Sequence, residues 1–403
     1  PALAPGSNRL GAGAAARRAD GTLEKTRVVV VDDDAAVCWF LAGVLKSAGA
    51  TVYEARDGAR ALEIAKHHMP DLVISDVLMP NLDGFSLCRT LKRDLLLRDV
   101  PVVLLSWKED LLQRVRELGA EADGYLRKEA SASAIVQRAR ELVRTRQRVA
   151  QRLATQGEVR GRLDGITAYT LLRIACETRP ECTVAIRDAS FLYEVEIRSG
   201  KPARATRTSV GGAFERGPSV LGLLLGVGDG RFIVSPPRPE GGDAPFRPDL
   251  QGALLDQIMP VVAGARAAQD LLTGPSMLCV QRVEIDDDAV RGYWGTTPEH
   301  AKITLEALTK GHAPRTVVAS GRASARLVED VLMDVAAHGA IVQVFALDGE
   351  DRLPEATARE LALLAGDRAA MPVLALPLPA SEPTPMPMSP VAVAVPDHAD
   401  LMK

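Results

Sequence analysis

Long apolar runs are missing from this chain of 403 residues. No stretch reaches the roughly 18 or more apolar residues that a membrane-spanning helix needs, so none is expected. Residues 1–24 are rich in Ala, Gly and Arg and have no apolar core. That composition reads as a flexible tether rather than as a secretory leader. The start at Pro1 rather than at a methionine suits a piece of a longer polypeptide. Cysteine is scarce, limited to Cys38, Cys88, Cys176, Cys182 and Cys279. An odd number scattered among apolar neighbours predicts reduced, buried thiols and a cytoplasmic protein rather than a disulfide scaffold. Cys176 and Cys182 have no His or Cys partner nearby to complete a metal site. An excess of charge of one sign is also absent: 49 basic side chains face 52 acidic ones, for a net −3. A general attraction to nucleic acid or other polyanions is therefore not implied. The length predicts about two to four domains.

What is present is concentrated near the beginning. Four valines, Val28 to Val31, run directly into Asp32-Asp33-Asp34. Consecutive β-branched residues read as a strand buried on both faces, as in a parallel α/β sheet. Carboxylates at its end fall where open α/β sheets bind ligands. Three adjacent acids are unfavourable unless a cation is shared, or else they form an exposed turn that caps the next helix. Leu72-Val73-Ile74-Ser75-Asp76 ends a second apolar strand in an acid. Val102 to Ser106 ends a third in a hydroxyl, and Gly124 to Lys128 ends a fourth in a lysine. Four strand ends thus offer acids, a hydroxyl and an amine to one crevice.

These residues and their spacings resemble the receiver domain of bacterial two-component response regulators over about residues 25–145. The segment Asp76-Val77-Leu78-Met79-Pro80-Asn81-Leu82-Asp83-Gly84 carries the Met-Pro and Asp-Gly turn of that family. The resemblance implies a doubly wound, flavodoxin-like α/β fold with a five-stranded parallel sheet. It implies that Asp76 is the phosphoacceptor and that Asp33, Asp76 and the backbone carbonyl of Leu78 bind Mg²⁺, with Asp32 holding the metal through water. Hard oxygen ligands suit that cation. Lys128 and Ser106 would contact phosphoryl oxygens. Tyr125 stands where the family has its aromatic switch, which works with Ser106, although a plain core aromatic is the competing reading. Asp34 lies past the strand end and is expected to cap the following helix. Two positions depart from the pattern. Glu129 replaces the usual proline after the lysine, so the loop presenting Lys128 is expected to be looser. Trp107 replaces a small residue beside the phosphoryl site and is expected to alter the lifetime of the phosphoryl group.

Residues 131–156 read as one long helix, its apolar positions Ile135, Ala139, Leu142, Val143, Val149 and Leu153 recurring at helical spacing. Arg138, Arg140, Arg144, Arg146, Arg148 and Arg152 crowd it, as expected of a solvated basic linker; a homodimer stalk or a docking face for an acidic partner is the alternative. Residues 157–245 form a second unit. A strand at 157–163 precedes a helix at 167–176 capped by Thr167. Strands at 182–186, 193–197 and 203–206, a helix at 219–225 and a strand at 230–234 follow. The order is similar to the PATAN module, an α+β domain found beside receivers and implied to mediate protein contacts. Gly211-Gly212 and Gly226-Val227-Gly228 lack the Lys-Ser/Thr of a phosphate loop.

Residues 250–347 read as a further small unit. A helix over 250–272 is expected to break near Pro260, two short strands to cover 278–280 and 281–285, and Asp286-Asp287-Asp288 to form a solvated turn. Helices at 298–309 (capped by Thr297), 313–320 and 324–338 and a strand at 340–347 resemble a winged helix. The third of those helices carries Glu329, Asp330 and Asp334 against Arg326, the wrong charge for a phosphate backbone. Residues 348–403 read as an extension, Pro-rich and disordered from about Met371.

The resulting expectation is a response regulator, not an enzyme, phosphorylated by a histidine kinase or histidine phosphotransfer protein and acting on an unidentified output protein. Nucleic acid and membrane are not expected partners. A DNA-binding regulator acting through residues 296–347, and the receiver end of a larger hybrid histidine kinase, are the alternatives.

Overall fold

The computed structural model describes residues 22–107, 122–155, 157–237, 248–290 and 297–370. The first unit alternates β1 (Arg27–Val31), α1 (Ala35–Ser47), β2 (Thr51–Ala55), α2 (Gly58–His68), β3 (Leu72–Asp76), α3 (Gly84–Lys92), β4 (Val102–Ser106), β5 (Gly124–Arg127) and α4 (Ala132–Leu153). All five strands are parallel, in the order β2-β1-β3-β4-β5. This is the flavodoxin-like winding, whose crevice lies at the carboxyl ends of the central strands. The valines of β1 and every residue of β3 and β4 are buried, as helices on both faces require. Each of the first three helices starts at an aspartate: Asp34 accepts from the Ala36 amide, Asp57 from Arg60 and Asp83 from Ser86. Ser131 caps α4 through the Ala134 amide.

The tether expected over residues 1–24 does not include Leu23. Leu23 is fully buried and its amide donates to the Ala48 carbonyl at 2.8 Å. Residues 1–21 lie outside the described residues. The linker helix α4 is not simply solvated either. Ile135, Ala139 and Val143 pack under the sheet with Val28, Val30 and Ile74. Arg146 is buried and reaches Asp99 at 3.1 Å and Asp71 at 3.6 Å. Arg140, Arg144, Arg148 and Arg152, spaced by four, form the exposed face.

The second unit contains β6 (Val159–Arg162), α5 (Ala168–Thr178), β7 (Cys182–Arg187), β8 (Phe191–Arg198), β9 (Lys201–Ser209), β10 (Phe214–Arg216), α6 (Pro218–Leu225) and β11 (Arg231–Ser235). Its antiparallel sheet runs β10-β9-β8-β7-β11-β6. Burial alternates along β8, the mark of a sheet with one face on the core. Thr167 accepts from the Thr170 amide and caps α5. The short β10 had no apolar pattern to announce it; all three of its residues are exposed.

The third unit contains α7 (Leu254–Leu271), α8 (Pro275–Leu278), β12 (Val280–Ile285), α9 (Glu299–Thr309), α10 (Pro314–Ala319), α11 (Ala325–Ala337), β13 (Ile341–Ala346) and α12 (Leu353–Ala370). β12 and β13 pair antiparallel. Five expectations fail here. Helix α7 does not break at Pro260: burial of Ile258, Val262, Ala263 and Ala268 outweighs one lost backbone bond. The two strands expected over 278–285 are one, preceded by α8. Asp286 is no mere solvated turn, because it accepts from the Asp288 and Ala289 amides and starts a helical turn. Pro298, not Thr297, is the cap residue of α9, its carbonyl accepting from Ala301 at 2.9 Å. Residues 348–370 are not an extension, since α12 packs along α7. Residues 371–403, including the Pro-rich tail, lie outside the described residues.

The units share a core. One apolar cluster joins Val29, Val73, Leu87 and Leu91 of the first unit through Leu95, Leu96, Leu97 and Val100 to Leu171, Leu172, Leu221 and Ile258. A separate cluster fills the third unit around Leu305, Val328, Val331 and Val344. Among the described residues no helix is long and apolar enough to cross a membrane.

Candidate functional site

The registers Val31↔Ser75, Asp76↔Leu105 and Ser106↔Arg127 bring the ends of β1, β3, β4 and β5 side by side. Asp32 is fully buried, Asp76 nearly so, and Asp33 is exposed at the rim. One carboxylate oxygen from each of the three lies within 4.8 Å of the others. Lys128 is drawn in between, its Nζ 2.7 Å from Asp32 Oδ2 and 2.8 Å from Asp76 Oδ2. The other Asp76 oxygen, Oδ1, accepts from the Val77 amide at 2.7 Å. The Asp34 amide donates to Asp32 Oδ1 at 3.0 Å, while the Asp34 side chain turns away to cap α1.

The electrostatics follow from the geometry. Burial raises the Asp32 carboxyl above the ordinary aspartate range, against hydrogen bonds from Lys128 and the Asp34 amide. Burial works against the charge on Lys128, but its hydrogen bonds to Asp32 and Asp76 prevail and raise it. Two neighbouring buried carboxylates are tolerable only with a cation between them. The ammonium fills that role, and the three oxygens are a donor set that also fits a small divalent cation.

Lys128 was expected on a loosened loop because Glu129 follows it. Instead its amide donates to the Ser106 carbonyl at 3.0 Å and its side chain is 3% exposed. Two buried ion pairs fix the residue, and Glu129 pairs with Arg127 at the surface. Ser106 is buried beside it. Trp107 is 57% exposed, with Lys128 Nζ 5.9 Å from its ring centroid, so the indole stands at the rim. Tyr125, in register with Leu104, packs half-buried against the main core. The side chain of Leu78 points to solvent.

Sequence reading missed the backbone that shapes the site. Gly84 closes the loop after β3 by donating to the Val77 carbonyl at 3.0 Å. A Cβ there would lie 1.9 Å from the Asp76 carbonyl oxygen. Asn81, at φ 64°, donates to Asp57 and ties this loop to α2. The Asp-Gly pair at 83–84 was the available signal. The junction acids Asp71, Asp94 and Asp99 carried none, because their partners lie far along the chain.

Residues 28–140 match the family described as the response regulator receiver domain. The DNA-binding dual master transcriptional regulator RpaA of a Synechocystis species is 32% identical over 125 residues, 31% of this chain and 52% of its own. The response regulator MprA of Mycobacterium ulcerans is 40% identical over 118 residues, 29% of this chain and 50% of its own. This chain therefore spans about half the length of these curated relatives. Among solved structures, the receiver domain of a signal transduction histidine kinase from Syntrophus aciditrophicus is 32% identical, covering 30% of this chain and 91% of its own, with a TM-score of 0.29. The parallel winding, the clustered acids and the family match agree: residues 28–140 are a response regulator receiver domain.

Proposed function

We propose that this protein is a response regulator phosphorylated on Asp76, with output through protein contacts made by the units that follow the receiver. The carrying observation is the Lys128 ammonium bridging Asp32 and Asp76, with Asp33 at the rim. An Asp76 carboxylate oxygen attacks the phosphorus of a phosphohistidine on a kinase or phosphotransfer protein. The P–N bond breaks, its electron pair goes to the imidazole, which takes up a proton, and an acyl phosphate forms. Lys128 and Ser106 then hold the phosphoryl oxygens, stabilising charge that develops during transfer. Mg²⁺, bound by Asp33, Asp76 and the Leu78 carbonyl with Asp32 behind a water, would supply further neutralisation of that charge.

The second unit is read as PATAN-like and the third as winged-helix-like, both as binding modules without catalysis. Duplex DNA is disfavoured as the target. The helix that would enter a groove, α11, carries Glu329, Asp330 and Asp334, and Asp330 is engaged by Arg93 of the receiver at 2.6 Å. The names of RpaA and MprA speak for those proteins, and their likeness covers less than a third of this chain.

The test is intact mass after incubation with Mg²⁺ and a small phosphodonor. One added phosphoryl group, lost in Asp76→Asn, is expected. No gain with several donors would reduce the domain to a receiver fold without transfer chemistry.

A further inference from the structure

A second site lies at the opposite edge of the receiver sheet. Because the strands are parallel, the Asp76 crevice is at their carboxyl ends. Arg27, at the start of β1, and Asp71, just before β3, mark the amino edge. A cavity of about 550 Å³ opens there, between the receiver edge, α4 and α5 of the second unit. This falls within the roughly 300–1,000 Å³ of small-molecule sites.

Its polar wall holds three guanidinium groups around one carboxylate. Asp71 lies 2.7 Å from Arg173 Nη2, 3.6 Å from Arg146 Nη1 and 3.7 Å from Arg27 Nε. Each guanidinium offers five N–H donors. Among the described residues the buried Nε atoms of Arg146 and Arg173 have no hydrogen-bond partner. Arg146 is also held by Asp99 at 3.1 Å, Glu24 lines the cavity, and Glu177, half exposed, sits 3.8 Å from both Arg27 and Arg173. The Glu177 carboxyl is raised by burial and by Asp71, with Arg27 opposing. The rest of the wall includes Val143, Ala150, Ala154 and Ile174. The cavity-facing Nη2 of Arg27 and Nη1 of Arg173 lie 3.8 Å from Glu177, beyond hydrogen-bonding distance, and beside an apolar wall they match a carboxylate or phosphate group on a compact apolar body.

We infer that this cavity binds a small organic anion, its acidic group between Arg27 and Arg173 and its apolar body against α4. Such a ligand touches receiver, linker helix and second unit at once. It stabilises their joined arrangement by mass action. The site is separate from the Asp76 crevice and does not rest on the phosphorylation reading.

The probes are benzoate, phenyl phosphate and the neutral benzamide, titrated calorimetrically into the full chain without Mg²⁺. Benzoate or phenyl phosphate should bind at a single site and raise the melting temperature, and benzamide should not. Asp76→Asn should leave this binding unchanged. Arg173→Gln should weaken it at least about tenfold. Because that change also breaks an ion pair, Ala154→Trp, at an exposed position of the cavity wall, provides an independent block and should weaken binding without unfolding the chain. The inference is overturned if neither anion gives heat or a thermal shift at millimolar concentration. It is equally overturned if binding survives both substitutions, or disappears with Asp76→Asn alone.

Discussion

At the scale of single residues, the Asp76 crevice is governed by one ammonium and one missing side chain. Lys128 sits against two buried acids, and removing one partner of a buried ion pair typically costs about 3–5 kcal/mol. Lys128→Ala should lower the melting temperature in a chelating buffer. Added Mg²⁺ should recover more of that loss than it adds to the parent protein, because the cation replaces the lost charge. Equal Mg²⁺ responses in calorimetry would show that the ion does not share these acids. Gly84 is the missing side chain. Its Cβ would meet the backbone of Asp76, not a movable side chain, so Gly84→Ala must displace the nucleophile. Overpacking of about 1–3 kcal/mol and a large fall in phosphorylation rate are expected, read by denaturant melts and intact mass. Trp107 stands at the rim near Lys128. Trp107→Ala should leave phosphorylation possible and shorten the life of the acyl phosphate several-fold, since water approaches in line more freely. Unchanged decay would mean that the indole does not screen the phosphorus. The acids, hydroxyl and lysine of this site were all legible, because each ends an apolar strand. The backbone contacts of Val77 and Gly84 were not, because they depend on how the loop after β3 turns.

At the scale of elements, the segment between α3 and β4 does more than connect them. Asp94 is buried, accepts from the Leu96 amide at 2.9 Å and meets Arg266 of α7 at 2.8 Å. Asp99 accepts from the Thr167 amide that opens α5 and faces Arg146 of α4. Burial opposes the charge on Asp94, but the charge and hydrogen bonds of Arg266, helped by Leu96, hold its carboxyl below the ordinary aspartate range. An acid lowered on folding contributes stability above its unfolded value of about 3.9, lost as pH falls below that toward the folded value. Asp94→Asn should therefore destabilise the protein at neutral pH and flatten the acid limb of its stability curve below about pH 4. An unchanged acid limb would mean that Asp94 ionises no more readily in the folded protein. These contacts explain which elements the sequence hid. Helical and alternating periods identified α5, α6, β7 and β8, although only β8 alternates strictly in burial; α5, α6 and β7 are covered on more than one face. Pro260 misled because propensity is a local rule, and α7 is held by packing along α12, α11 and α6. Arg146 looked like one more solvated arginine; only the fold reveals that Asp71 and Asp99 wait for it.

At the scale of the whole molecule, the receiver and the second unit are built around one continuous core. Leu95, Leu96, Leu97 and Val100 belong to the same apolar cluster as Leu171, Leu172, Leu221 and Ile258. Arg98 donates to the Leu225 carbonyl at 2.9 Å, and Gln269 donates to the Arg93 carbonyl at 2.8 Å. The units are therefore not independent beads on a chain. A fully buried leucine or valine contributes about 1.5–3 kcal/mol. Several together rival the roughly 5–15 kcal/mol that separates a folded domain from its unfolded chain. Residues 157–370 made without the receiver lose those side chains and also the partners of Arg173, Arg266 and Asp330. That fragment should lack a cooperative thermal transition and should bind a dye that reports exposed apolar surface. The full chain should melt receiver and second unit together, with probes in the two coinciding. A fragment with a sharp transition and a dispersed NMR spectrum would show that the shared cluster is dispensable, and that the receiver only rests against its neighbours. The coupled outcome matters for function because a change at Asp76 then has a packed route to the following units, through the very segment that carries Asp94 and Asp99.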